Sequence, residues 1–223
     1  MGAVASEQAP LREGARRVAP LVLPAAAFGT SFGVLAAAAG MGKLAPIVMS
    51  ATTFAGSGQF AAASILDEGG AVVAATAAAV LLNSRYVPIG ISVAPLFSGP
   101  RWRRLLEGQL IVDESWAIAN RGEGRFDRGL LLGAGLVLYP CWVLSTTVGA
   151  VAGDLLGDPE KLGLDAAFPA LFLALLAPQL RTRTTIAAAL AGAAVALALV
   201  PVTPAGLPIV AAAAVCLIGW RRA

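Results

Sequence analysis

Residues 44–66 read LAPIVMSATTFAGSGQFAAASIL, a run without a single ionisable side chain. It is long enough to cross a bilayer, which takes about 20 residues. Its centre, FAGSGQF at 54–60, is nevertheless poor material for the middle of a membrane helix, with two glycines, a serine and a glutamine. The run decides the class of the protein, and the interruption marks where function should be sought.

Other stretches repeat the apolar pattern. Of 223 residues, 58% are hydrophobic and 13% charged, and the mean hydropathy is +0.79. A soluble domain carries about 25% charged residues, and no single water-soluble core could hide this much apolar surface. Val18–Gly42 and Gly129–Gly153 are charge-free, Gly69–Pro100 holds only Arg85, and Leu162–Leu180 holds only Asp165. Thr184–Trp220 is too long for one crossing, and Pro201, Pro204, Gly206 and Pro208 divide it into a hairpin. The expectation is an all-α integral membrane protein of about seven transmembrane helices, some of them broken. The first run exceeds a signal-peptide core and lacks an obvious cleavage site, so it is expected to be retained.

Residues 1–17 read as an N-terminal tail, 18–220 as one polytopic membrane domain, and 98–128 as a cytoplasmic amphipathic linker. Arg101, Arg103, Arg104, Arg121, Arg125 and Arg128 place that linker inside, because basic loops stay in the cytoplasm. Seven crossings then put the N-terminus outside. Arg12, Arg16 and Arg17 in the tail oppose this, and a break or re-entry around 54–60 or 83–90 would resolve the conflict. The formal charge of +3 reflects this topology and implies no nucleic acid. KL at 43–44 before Phe54 is echoed by KL at 161–162 before Phe172. Two inverted repeats, as in many secondary transporters, and a chance echo both fit. The GxxxG pairs at Gly29/Gly33, Gly129/Gly133 and Gly149/Gly153 read as close helix packing.

Four polar stretches interrupt the apolar runs. In hydrocarbon, unwound backbone survives only against protein or a water-filled cavity. AGSGQ invites such unwinding, and Ser57 and Gln59 could bond freed backbone or a ligand; a glycine packing seam is the plainer alternative. In NSRYVPIG, 83–90, Arg85 sits mid-span beside Asn83, and Pro88 and Gly90 weaken the helix. An arginine there costs roughly 2.5–3.5 kcal/mol on insertion scales, so it should hold a substrate carboxylate, pair with a protein carboxylate, or snorkel. In IVDESWAI, 111–118, Asp113 and Glu114 are either solvated on a surface helix or fold back onto Arg85 as ion-pair or coupling groups. In LGLDAAFPALF, 162–172, Asp165 reads as a helix cap with Pro169 in the first turn, and otherwise as a coupling candidate.

The chain has no histidine. That removes Ser–His catalysis and HExxH zinc sites, and no nucleotide-binding loop is present. Cys141 and Cys216 fall in separate apolar runs and read as fillers. No enzyme activity, metal or cofactor is expected, and any proton coupling must use a carboxylate.

At these same residues the chain resembles the AzlC family of branched-chain amino acid exporters. FAGSGQF matches a family F/Y-A-G-(S/A)-x-Q-F segment, and NSRYVPIGISVAP an (N/D)-x-R-(H)-x-x-x-G-x-S-(L)-x-P pattern. VDESWAI and LGLDAAFPALF follow in the family's order. Tyr86 stands where histidine is common, and Pro88 replaces an apolar residue, so no histidine role carries over. The resemblance implies export of valine, leucine and isoleucine, with methionine a further candidate, across the cytoplasmic (inner) membrane of a bacterium. It also implies a partner, a small hydrophobic AzlD-like membrane subunit. The expected site places Arg85 against the substrate carboxylate, with Asn83 nearby. Ser57, Gln59 and the carbonyls near Gly56 and Gly58 take the ammonium, and Phe54 and Phe60 enclose the side chain. A channel or transporter for another small solute and a structural subunit stay open beside this reading.

Overall fold

The computed structural model describes residues 2–156, 173, 176, 177, 180, 182–203, 208, 211 and 212. The helices are α1 (Gly2–Ala36), α2 (Leu44–Thr53), α3 (Gly56–Asp67), α4 (Val72–Asn83), α5 (Tyr86–Val93), α6 (Arg101–Gly108), α7 (Asp113–Ala119), α8 (Arg128–Leu156) and α9 (Arg183–Leu199). Among the described residues there is no strand, only an isolated bridge between Asn120 and Phe126. The expected span from Leu162 with Asp165 and Pro169, the echo at 161–172, most of the hairpin after Pro201, and Cys216 lie outside the described residues. The all-α membrane class holds: among the described residues three helical stretches, Ala9–Met41, Val72–Leu96 and Arg128–Gly153, are long and apolar enough to cross a bilayer.

The frame is the pair α1 and α8. Glycines draw them together: Gly14 lies on the backbone of Leu130, Gly29 on Ser145, Gly33 on the Thr146 carbonyl and Gly149 on the Thr30 carbonyl. A Cβ at any of these would collide with its neighbour. Between membrane helices such close approach supplies the attraction that the hydrophobic effect cannot, because lipid tails are as apolar as leucine.

The contacts 14 to 130, 29 to 145 and 33 to 149 advance in the same sense, so α1 and α8 run parallel. The N-terminus therefore shares a side with Arg128 and the arginine-rich linker. The outside placement of the tail is thereby corrected: Arg12, Arg16 and Arg17 join the other arginines on one face, the cytoplasmic one by their excess. The tail itself is helical from Gly2 and continuous with the first span.

The missing crossing is explained at residues 44–67, which do not span. From the outer end of α8, where Lys43 Nζ donates to the Val151 carbonyl at 3.5 Å, α2 descends past Thr146 to Tyr139. There Phe54 takes a left-handed conformation (φ 42°, ψ 53°) and the helix ends. From Gly56, α3 climbs back toward the π-helical segment Ala37–Met41 that closes α1. The stretch expected as a second crossing is a re-entrant hairpin with its tip at mid-depth.

Next, α4 and α5 cross the bilayer together with a break at Ser84–Arg85. Ile65 and Ala62 of α3 pack on Ala75 and Ala78 of α4, while Gly58 meets Asn83, an antiparallel pairing.

A second hairpin enters from the cytoplasmic side. Glu107 of α6 binds Arg128 at the start of α8, Leu110 lies against Gly135, and Val112 packs with Leu138. Beyond Gly108 the chain turns, with Leu110 N donating to the Glu107 carbonyl and Ile111 N to the Gly108 carbonyl, before Val112 extends toward Asp113. From Asp113, α7 returns toward the cytoplasmic face, with Ala119 packed on Leu130 and Leu131. The expected surface linker at 98–128 thus dips to the centre of the protein.

Candidate functional site

The two hairpin tips and the α4–α5 break meet halfway along α1 and α8, around a cavity of about 270 Å³. That is just below the roughly 300–1,000 Å³ of drug-sized sites, which suits a small solute. Its walls are mainly apolar and include Phe28 of α1, Phe54 and Phe60 of the first hairpin, and Leu138 and Trp142 of α8. The rings of Phe32, Phe60 and Trp142 stack edge to face in series, with centroids 5.5 and 6.3 Å apart.

Polar groups gather on one wall. Arg85 Nη2 lies 2.8 Å from Asp113 Oδ2 and donates to Ser57 Oγ at 2.9 Å. The guanidinium also sits 5.2 Å from the Tyr86 ring centre, within range of a cation–π contact. Asp113, not Glu114, makes the ion pair. Glu114 lines the cavity beside it.

The first hairpin brings backbone charge as well. Gly56 and Ser57 open α3 and line the cavity. The first amides of a helix have no partner inside it and carry partial positive charge. The carbonyls at the end of α2 face a different environment: Tyr139 Oη donates to Ala51 at 2.7 Å, and Gln109 Nε2 to Ala51 and Thr52 at 3.2 and 3.1 Å. The tip therefore offers the cavity its amide end, while side chains cover its carbonyl end. Gly56 thus brings an amide end to the cavity, and Gly58, expected to offer a carbonyl to an ammonium, does not line it.

Of the expected residues, Phe54, Gly56, Ser57, Phe60, Arg85, Asp113 and Glu114 line the cavity, whereas Gly58, Gln59 and Asn83 do not. Gln59 is fully buried and committed elsewhere. Its Oε1 accepts from Ala55 N at 3.2 Å and from Trp142 Nε1 at 3.1 Å, and its Nε2 donates to Ser50 Oγ at 2.8 Å. Ser50 Oγ in turn bonds Thr146 Oγ1 at 3.0 Å. One carboxamide thus satisfies the amide freed by the break, ties both hairpin arms together and orients the indole. Gly58 lets the Asn83 carboxamide approach so closely that a Cβ would stand 2.6 Å from Oδ1. Asn83 Oδ1 and Arg85 Nε are buried without a hydrogen-bond partner among the described residues.

Sequence reasoning missed Tyr139, Trp142 and Gln109. A tryptophan in the middle of an aliphatic span was a usable signal for one of them; the other two gave none.

The sequence profile described as AzlC protein matches residues 20–156. The chain belongs to the AzlC family. An uncharacterized membrane protein of Archaeoglobus fulgidus is 32% identical over 221 residues, covering 96% of this chain and 97% of that protein. The branched-chain amino acid transport protein AzlC of Bacillus subtilis is 27% identical over 158 residues, 68% of this chain and 60% of that protein. No solved structure matches. The AzlC profile takes in both hairpins, the kinked span and α8, so the whole cavity lies inside the family region.

Proposed function

We propose that the chain is a secondary transporter that exports branched-chain amino acids, with valine, leucine and isoleucine as substrates and methionine as a further one. The observation that carries the reading is the Arg85–Asp113 ion pair, held at mid-depth between hairpins from opposite faces. A zwitterion can open such a pair without changing the net charge of the site. Its carboxylate replaces Asp113 on Arg85 and meets the amides at Gly56 and Ser57. Its ammonium goes to the released Asp113, and its aliphatic side chain enters the aromatic wall. One methylene changes binding in an apolar pocket by about 1–3 kcal/mol, so the substrates should overlap.

Coupling is assigned to protons through the Asp113 and Glu114 carboxylates. The partner is a small hydrophobic AzlD-like membrane subunit. Exposed Val72, Val73 and Val80 on α4 and Leu144, Val148 and Val151 on α8 give it apolar surface to meet. The name of the B. subtilis relative supports the substrate class, and the shared family region supports carrying it over.

The test is efflux of labelled valine from vesicles with an imposed pH gradient, for the chain alone and with its partner. Efflux that follows the gradient in the wild type and is lost in Asp113→Asn supports the reading. Gradient-independent flux of neutral solutes that survives Arg85→Ala overturns it in favour of a channel.

A further inference from the structure

We infer that α6 docks on anionic phospholipid headgroups at the cytoplasmic surface and so fixes the depth of the second hairpin. The helix is amphipathic with its charged side turned inward. Glu107 is buried and binds Arg103 and Arg128. The opposite face carries Trp102, Leu105 and Leu106, exposed by 64%, 74% and 64%. At 3.6 residues per turn these three share one side, with Arg101 on its flank and Arg104 further round, toward the Glu107 side. Both arginines are exposed, and neither makes a hydrogen bond or ion pair among the described residues.

Depth decides what covers this face. The Glu107–Arg128 pair sets α6 level with the first residue of α8, where the span ends. Tryptophan and leucine there enter the boundary between headgroups and acyl chains, and arginines at that level meet the negative surface of the inner leaflet. A neutral or cationic protein surface would leave Arg101 and Arg104 unmatched. Each arginine near an anionic surface contributes about a fivefold preference. Gly108 follows directly, then the turn that leads to Asp113, so the anchor sits at the root of the second hairpin.

The experiment uses the full-length protein in vesicles of equal phosphatidylglycerol and phosphatidylcholine, with bromine on the acyl chains of one lipid or of the other. The signal is the quenching that disappears in Trp102→Phe, which leaves the cavity and its indole intact. Stronger Trp102-dependent quenching by the brominated anionic lipid, reduced toward parity in Arg101→Gln/Arg104→Gln, is the expected result. Equal quenching by the two lipids in the wild type overturns the headgroup assignment. Absence of quenching by both shows the face covered by protein and overturns the docking altogether. Loss of the bias on adding millimolar inorganic phosphate would also overturn it, since the site would then be one for a free anion.

Discussion

Arg85 Nη2 and Asp113 Oδ2 stand 2.8 Å apart, one in the break of a crossing helix and the other at the tip of a hairpin that enters from the cytoplasm. Their side chains are 35% and 37% exposed, toward the cavity, so the pair is neither sealed nor free. Replacing Arg85 by alanine removes a charge-assisted contact of about 1.5–3 kcal/mol, which is roughly a 10- to 100-fold loss of valine affinity. Because of the exposure, the stability cost stays well below the roughly 3–5 kcal/mol of a fully buried pair. Arg85→Ala/Asp113→Ala should melt higher than Arg85→Ala alone while transporting nothing. Titration calorimetry and thermal unfolding in detergent check both halves; wild-type valine affinity in Arg85→Ala removes the guanidinium from the site.

Gln59 holds structure, so its loss should read as instability. Gln59→Ala strips partners from Ala55 N, Trp142 Nε1 and Ser50 Oγ. A buried group left unpaired costs about 1–3 kcal/mol. We expect a lowered unfolding midpoint and efflux that falls in proportion to folded protein, with KM unchanged. A raised KM at full stability would place the carboxamide in contact with substrate.

Glu107 makes stability depend on pH in a stated direction. Burial alone would raise its carboxyl, but the hydrogen bonds and charges of Arg128 and Arg103 outweigh burial and hold it below the ordinary value of 4.5. A folded-state value below the unfolded one stabilises the fold above the unfolded value, and that contribution disappears as pH falls through the folded value. The unfolding midpoint should drop below about pH 4.5, and Glu107→Gln should flatten that limb. Asp127, held low by the Leu130 amide and Arg121 against its own burial, acts in the same sense.

Topology can be read chemically. With Cys141 and Cys216 replaced by alanine, Ala5→Cys and Ser98→Cys should react with a membrane-impermeant maleimide from the same side, and Gly69→Cys from the other. Labelling of Ala5→Cys and Gly69→Cys from one side would refute both the parallel α1–α8 pair and the re-entry at Phe54.

The membrane class, the break inside 54–60 and a break within 83–90, found at Ser84–Arg85, were legible because glycine, proline and a mid-span arginine act through local backbone and solvation rules. The partner of Arg85 was half legible: Asp113 and Glu114 were both candidates, and the fold chooses Asp113. That 44–67 turns back was not legible from hydropathy, because two apolar arms of about half a span sum to the same count as one crossing. The turn itself falls on Phe54, a residue that rarely adopts positive φ. The misfit of Arg12, Arg16 and Arg17 was the available sign. Gln59 looked like a ligand group because residue type does not reveal whether a carboxamide faces a cavity or a freed amide.

Neither hairpin reaches the far leaflet, and that restricts how the solute can pass. On the proposed transport reading, withdrawing the outer tip would clear a way to the exterior with the inner tip still in place, and the reverse would hold for the cytoplasmic one. A leak through both faces would need two separate displacements at once. The glycine-stitched pair behind them can stay rigid throughout, like a doorpost carrying two independent flaps.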